Sequence, residues 1–321
     1  MNKVCIKGDV TEKWITLPDP ISKYRISSRN LEMDKNRVSK LIDDVLGKVD
    51  KDVDRSQYSF IAIFLGAKVK EYGMVGLCGY PEMFGWSSQV VIKIPSGKTI
   101  RGVAIYSFQA HPGTIFHDIG HILGGTKDGK RLVPCLYYHD LQALPGDRRE
   151  TFVDATINMG FRDPMSCHFY KWEMPPPGIS AWTKLRLGWL DSSRVKVVSP
   201  KEKTEVILSP LEVGEGKTLA IKIELTESTY YLLENRQPWG FDKNLLGSGV
   251  LIMFADDRIS ECRKGKSQVN LMNADQSLKH LEGAAFNEGK NLEFIDKKYG
   301  LRIRILSRED DSYRIEIGPN E

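Results

Sequence analysis

The chain has 321 residues, of which 41% are hydrophobic and 27% are charged, and its formal net charge is +4. This composition is typical of a soluble globular protein and excludes a collagen-like or low-complexity chain. Basic and acidic residues are interspersed, so the charge gives no reason to expect a nucleic acid or an anionic membrane as partner. No apolar run approaches the length of a membrane span. A chain of this length has room for two domains.

The first residues, MNKVCIKGDVTEKW, contain no apolar stretch of the kind found in a signal peptide. Both a cytoplasmic protein and a chain whose leader has been removed are consistent with this start. The five cysteines are scattered, and none forms a CxxC pair. We therefore expect reduced, buried thiols and no disulfide scaffold.

Hydrophobic periodicity predicts a mixed α/β first half of the chain. The predicted elements, in order, are a helix at 36–49, strands at 59–65, 89–94 and 101–108, and helices at 114–124 and 148–159. Asp50, Asp52 and Asp54 alternate between the first helix and the first strand. An EF-hand would need Gly at the sixth loop position and a carboxylate at the twelfth, where Arg55 and Ile61 stand. We predict a turn there, with Ca²⁺ as a secondary alternative.

The pattern changes near residue 191. Before it, Ser180 is a candidate N-cap for a short helix that contains Trp182 and Leu185. After it, strand-like runs recur between turns, and Ile303 and Ile305 alternate with charged residues as in a half-buried strand. The predicted strands are 205–208, 218–225, 229–234, 249–254, 301–306 and 313–317. The sequence thus predicts an α+β protein with a mixed domain at residues 1–190 and an antiparallel β-sandwich at 191–321.

The segment TIFHDIGHILGG, from Thr114 to Gly125, carries the clearest chemical pattern. His117 and His121 are four residues apart in a helical run, so their side chains lie on one face. Two imidazoles placed in this way can bind one tetrahedral Zn²⁺. Asp118 lies beside them as a candidate general base that takes a proton from water. The pattern differs from the HExxH of zinc peptidases in having Asp for Glu.

Several segments resemble the secreted zinc metallopeptidases of the immune inhibitor A type. FHDIGHILG is similar to their FAHEFGHxLG, and DPMS followed by PPPGISAWTKLRLGWL is similar to their LMxSGSW and PPGxSAWSKxxLGWL. YYLLENRQPWGFDKNLLGSGVLIMFADD is similar to their YFLIENRQ and GSGLLIWHVDE segments. The likeness covers most of the chain in the same order.

The resemblance implies a zincin-like, metzincin-like catalytic domain that hydrolyses proteins or peptides outside the cell. His117 and His121 fall on the two zinc ligands, and Asp118 falls on the catalytic Glu. Met165 falls on the Met-turn, a methionine beneath the metal. The ENR match contains Glu234 and Arg236, which we interpret as a structural ion pair.

The sequence departs from the family at Asp118. Loss of one methylene retracts the carboxylate by roughly 1.5 Å, about one carbon–carbon bond. A misplacement of about 1 Å can cost on the order of 10²-fold in rate. We therefore expect weak or absent peptidase activity at a site that still binds metal.

The third zinc ligand is also displaced from the family position. The family spacing would place it at Lys127, which cannot bind metal while it is protonated. We predict Asp140, in YYHDLQ, as the third ligand, with Cys135, Asp128 and His139 as alternatives. Cys135 lies in PCLY, which resembles the family's PDLY, and a thiolate is a good zinc ligand.

Two functional hypotheses follow. The first is a zinc-dependent endopeptidase with His117, His121 and Asp140 as ligands and Asp118 as general base. The second is a catalytically degenerate relative that keeps the fold as a binding or structural module. The sequence does not indicate the oligomeric state.

Overall fold

The structure is a computed structural model that describes residues 6–26, 33–49, 58, 60–79, 102–127, 130–138 and 158–320. Within these residues the fold is α+β, as predicted, with few helices and several sheets. Those up to 127 form one compact unit and those from 130 onward form a second. The predicted strand at 89–94, nearly all of the predicted helix at 148–159, and the calcium alternative at Asp50, Asp52 and Asp54 lie outside the described residues.

The described residues of the first unit form a three-stranded sheet and four helices. The elements are α1 (Ile21–Tyr24), α2 (Lys35–Val49), β1 (Phe60–Leu65), α3 (Val69–Tyr72), β2 (Gly76–Gly79), β3 (Gly102–Ser107), α4 (Pro112–Gly124) and β4 (Thr126–Lys127). The strand order is β1-β3-β2, in which β3 pairs parallel with β1 and antiparallel with β2. The predictions of α2, β1 and β3 are confirmed to within a residue at each end. The short α1, α3 and β2 have no counterpart among the predictions.

Strand β3 is buried along its whole length, because both faces of the sheet are covered. Val103 and Ile105 belong to a core formed with the apolar face of α2. The alternate residues, Ala104 and Tyr106, belong to a second cluster with Ile122 of α4. Since successive side chains of a strand point to opposite faces, β3 fixes the two helices on opposite sides of the sheet.

The described residues of the second unit form one α-helix and two larger sheets. Its elements are β5 (Lys130–Arg131), α5 (Ala181–Arg186), β6 (Val195–Val198), β7 (Thr204–Leu208), β8 (Ala220–Glu224), β9 (Thr229–Arg236), β10 (Gly249–Asp256), β11 (Val269–Leu271), β12 (Glu293–Asp296), β13 (Leu301–Glu309) and β14 (Ser312–Pro319). Ser180 caps α5 as predicted, since its side chain accepts a hydrogen bond from the Thr183 N–H.

The two sheets have the orders β11-β10-β9-β8-β6 and β12-β13-β14-β7. Apolar side chains from both sheets form one shared core, which includes Leu233, Ile252, Ile303 and Ile315. The pairs within them are antiparallel except β6–β8, which is parallel. All six strands predicted after residue 191 are present. Strands β6, β11 and β12 were not predicted, because three or four residues are too few to show a period.

None of the described helices has the length and apolar character that are needed to cross a lipid bilayer.

A buried cluster of charges centres on Arg236, at the end of β9. Its guanidinium forms ion pairs with Glu234 at 2.9 Å, Asp242 at 2.6 Å and Glu212 at 2.8 Å. The predicted Glu234–Arg236 ion pair is therefore confirmed. All four side chains are at most 10% exposed. Three carboxylates around one guanidinium leave an excess of negative charge in a place that water does not screen.

Proton uptake at Glu212 relieves this excess. Burial raises the pKa of Glu212 to about 8, although Arg236 favours its charged form. Burial also opposes ionisation of Asp242, but Arg236 outweighs it and lowers the pKa of that carboxyl. Glu212 in its protonated form donates a hydrogen bond to Asp242. The pair thus shares one proton near neutral pH.

The Glu212 carboxyl makes stability depend on pH in a defined direction. Its ordinary pKa is 4.5, so between about pH 4.5 and 8 the folded chain holds a proton that the unfolded chain has lost. The free energy of unfolding should therefore fall as the pH rises through this window, by at most about 1.4 kcal/mol per pH unit from one proton. Glu212→Gln, which mimics the protonated carboxyl, should remove this slope in urea unfolding measured from pH 5 to 8.

Glu215→Gln is the matched control, because Glu215 is exposed and close in sequence. It should keep the wild-type slope. Parallel stability curves for wild type and Glu212→Gln would contradict the shared-proton interpretation.

Candidate metal site

Helix α4 has a capping residue at each end. Pro112 occupies the first helical position, where its missing N–H costs nothing. His111 is the N-cap, and its Nδ1 accepts a hydrogen bond of 3.0 Å from the Gly113 N–H. Gly125, with φ of 72°, follows the last turn. The predicted helix is confirmed, and it begins two residues earlier than the sequence pattern indicates.

The side chains of His117 and His121 converge on one another. Their Nε2 atoms are 3.0 Å apart, and their rings meet edge to face with centroids 4.5 Å apart. His117 is 3% exposed and His121 is 2% exposed. The prediction that both rings lie on one helix face and point to one place is therefore confirmed.

This contact restricts the charge of the two rings. Two protonated imidazoles at this distance would repel each other in a poorly screened interior. The facing nitrogens must therefore share a proton, with one as donor and the other as acceptor, or direct both lone pairs at a cation. Two nitrogens bound tetrahedrally to one Zn²⁺ lie about 3.3 Å apart, close to the distance seen here.

A thiol joins the two imidazoles. Among the described residues, His117, His121 and Cys135 form a buried group whose potential ligand atoms all lie within 4.8 Å of one another. This group could bind a metal ion.

Cys135 is the one candidate for the third ligand that the structure describes. Asp140, which the sequence favoured, lies outside the described residues, as do His139 and Asp128. Asp140 as a ligand therefore stays a prediction. The Cys135 thiol donates a hydrogen bond of 3.2 Å to the Tyr137 hydroxyl oxygen.

Asp118 lies on the part of α4 that faces the sheet. Its Oδ2 is 2.7 Å from the place that a Cβ on Gly76 would occupy, and the Thr114 methyl is 2.8 Å from that place. Burial, together with the charge of Asp118, raises the pKa of the Tyr106 hydroxyl. The carboxylate is thus close to β2 and β3. Its role as a general base stays a prediction.

Met165 is fully buried, in a turn that contacts the segment containing Cys135. The Met165 carbonyl accepts a hydrogen bond of 2.8 Å from the Leu136 N–H. The predicted Met-turn therefore lies one peptide group from the candidate thiol ligand. Its place beneath a metal stays a prediction.

The sequence analysis did not identify Gly76 as part of this site. Strand β2 was not predicted, so nothing placed Gly76 against α4. A side chain at Gly76 would overlap Asp118, Thr114 and Tyr106, so this position requires glycine. A short, glycine-flanked strand carries too little periodicity to be recognised.

Comparison of the sequence with profiles of known protein families gave no match, and comparison with curated proteins gave no significant match. The resemblance to secreted zinc metallopeptidases therefore rests on the segments quoted above.

The close approach of Gly76 to α4 predicts the effect of adding a methyl group. In Gly76→Ala the new Cβ would lie under 3.0 Å from both Asp118 and Thr114. Because Thr114 is β-branched and stiff in a helix, α4 itself must shift. We expect a loss of about 1 to 3 kcal/mol in the free energy of unfolding, measured with urea.

Gly47→Ala is the matched control in the same unit. Gly47 lies on the exposed side of α2, with nothing within 4 Å of a new Cβ. There the methyl group should stabilise the protein by up to about 1 kcal/mol. Equal stability of the two variants would contradict the packing described for Gly76.

Proposed function

We propose that this chain is a zinc-dependent metallopeptidase in which His117, His121 and Cys135 hold the metal. The main supporting observation is the 3.0 Å approach of the two buried Nε2 atoms on one helix face. The segments that resemble the immune inhibitor A type of peptidase add a protein or peptide substrate, a zincin-like catalytic domain and a secreted location. The HDxxH pattern supplies the candidate base.

The donor set fits zinc better than calcium. Imidazole nitrogen and thiolate sulfur are good ligands for Zn²⁺, whereas Ca²⁺ takes oxygen ligands. Catalytic zinc sites use three protein ligands and leave one position for water or substrate. The described group of two histidines and one cysteine has this number of ligands.

Zn²⁺, when bound, would polarise the scissile carbonyl and favour deprotonation of water near neutral pH. His117 and His121 would bind as neutral imidazoles, through the Nε2 atoms that already face each other. Asp118 would accept the proton from water and pass it to the leaving amine. Burial of the site would exclude bulk water and strengthen these interactions.

The second candidate is a metal-binding module without peptidase activity. The position of Asp118 favours it, because the carboxylate lies against Gly76 and Thr114 and is one methylene shorter than Glu. In this alternative the metal would stabilise the fold, and the histidines would have a structural role.

Metal analysis of the full chain, purified without chelator, tests the proposal. We expect about one zinc ion per chain, together with cleavage of an unfolded protein that stops on chelation and returns when zinc is added. Cys135→Ala should lower the zinc content and the activity together, because it removes a ligand.

Cys262→Ala is the matched control, since Cys262 is also a buried thiol of the second unit. It should leave zinc content and cleavage unchanged. Stoichiometric zinc without chelator-sensitive cleavage would favour the binding module. A chain that takes up no zinc would contradict the metallopeptidase and the metal-binding module, and would favour a binding or structural module without metal.

Replacement of Asp118 separates the two candidates further. Asp118→Glu should extend the carboxylate by roughly 1.5 Å and raise the cleavage rate, by on the order of 10²-fold if that distance is the main defect. Asp118→Ala should keep zinc and lose cleavage. The initial rate at fixed zinc content is the measurement, and unchanged rates in both variants would exclude Asp118 as the base.

A further inference from the structure

The carboxylate of Asp163 is fully buried and accepts four hydrogen bonds from neutral donors. Its Oδ1 accepts from the Met165 N–H at 2.8 Å. Its Oδ2 accepts from the Ser180 N–H at 3.0 Å, from the Ser180 hydroxyl, and from the Thr183 hydroxyl at 2.7 Å. A buried charge is tolerated when its lone pairs are satisfied in this way. Asp163 therefore ties the turn of Met165 to the first turn of α5.

The turn that contains Met165 is hydrogen-bonded to the peptide group that follows Cys135. The Met165 carbonyl accepts the Leu136 N–H at 2.8 Å, and the Leu136 carbonyl accepts from the Asn158 side-chain amide, also at 2.8 Å. The Asn158 main-chain carbonyl accepts a hydrogen bond from the N–H of Leu271 in β11. The backbone next to Cys135 is thus fixed on both sides.

We propose that Asp163 is a positioning residue for Cys135, acting through Met165 and Leu136 to hold the thiol where it can bind metal. The inference rests on the proposed zinc site, because it assigns Cys135 as a ligand. Groups that orient a metal ligand through hydrogen bonds commonly change metal affinity by about 10- to 100-fold when they are replaced.

At its other end, the hydrogen-bond network of Asp163 is anchored to helix α5 and to strand β9. Helix α5 is held at its N-terminus by Ser180 and by the Glu234 carboxylate, which accepts from the Ala181 N–H at 2.5 Å. Glu234 belongs to the Arg236 charge cluster at the end of β9. A continuous series of buried hydrogen bonds therefore runs from the sheet through α5 and Asp163 to the segment of Cys135.

Reconstitution of the full chain with Co²⁺ tests the inference, because a Co²⁺–thiolate bond gives a charge-transfer absorption that reports Cys135 directly. In Asp163→Asn, an amide N–H₂ replaces one acceptor oxygen and faces hydrogen-bond donors. We expect Co²⁺ affinity to fall by about 10- to 100-fold. The charge-transfer absorption per bound Co²⁺ should fall as well, and amide exchange at Leu136 should accelerate.

Glu316→Gln is the matched control. Glu316 is a buried carboxylate of the same unit that pairs with Lys203 and Arg304, which are not part of the network between Arg236 and Leu136. It should lower stability but keep the absorption per bound Co²⁺. If Glu316→Gln changed the absorption as much as Asp163→Asn does, the role of Asp163 would be merely structural and the inference would be wrong.

The remaining outcomes separate the inference from the proposed function. A folded Asp163→Asn protein with wild-type affinity and absorption would overturn the inference and leave the zinc site standing. A wild-type protein with no thiolate absorption would overturn the assignment of Cys135 and the inference together. If Asp163→Asn does not fold, Thr183→Val, which removes one donor to Oδ2, decides by the same readouts, with a smaller effect in the same direction.

Discussion

The structure of the candidate site depends on two imidazole rings that face each other within the protein interior. At 3.0 Å, the Nε2 atoms of His117 and His121 cannot both carry protons. A shared proton joins the two rings in one hydrogen bond, whereas a divalent cation would bind both lone pairs and take further ligands. Helix α4 makes this arrangement possible, because positions four residues apart lie one above the other. Its packing on β3 then fixes where the rings point.

The second unit contains a network of buried charges and hydrogen bonds. Arg236 pairs with three carboxylates, and one of them, Glu234, also receives the first N–H of α5. Asp163 continues the network towards Leu136. Such networks are costly unless every group is satisfied, but once satisfied they specify one arrangement of the backbone.

Local patterns in the sequence predicted much of this arrangement. The spacing of the two histidines, the Ser180 cap and the Glu234–Arg236 pair are visible in short segments, and the structure contains all three. Tertiary contacts were harder to predict. Gly76 approaches α4 through a strand with too few residues to show a period. Asp163 has no recognisable role in the DPMS segment, and its donors lie up to 20 residues away. Long-range pairing of this kind leaves no local trace in one sequence.

The most direct test of the account is X-ray absorption at the zinc edge, measured on the zinc-loaded full chain. The account predicts two nitrogen scatterers with imidazole character at about 2.0 to 2.1 Å and one sulfur scatterer at about 2.3 Å. A shell of oxygen and nitrogen without sulfur would exclude Cys135 as a ligand. A shell without the imidazole pattern would show that His117 and His121 face each other for a reason other than metal binding.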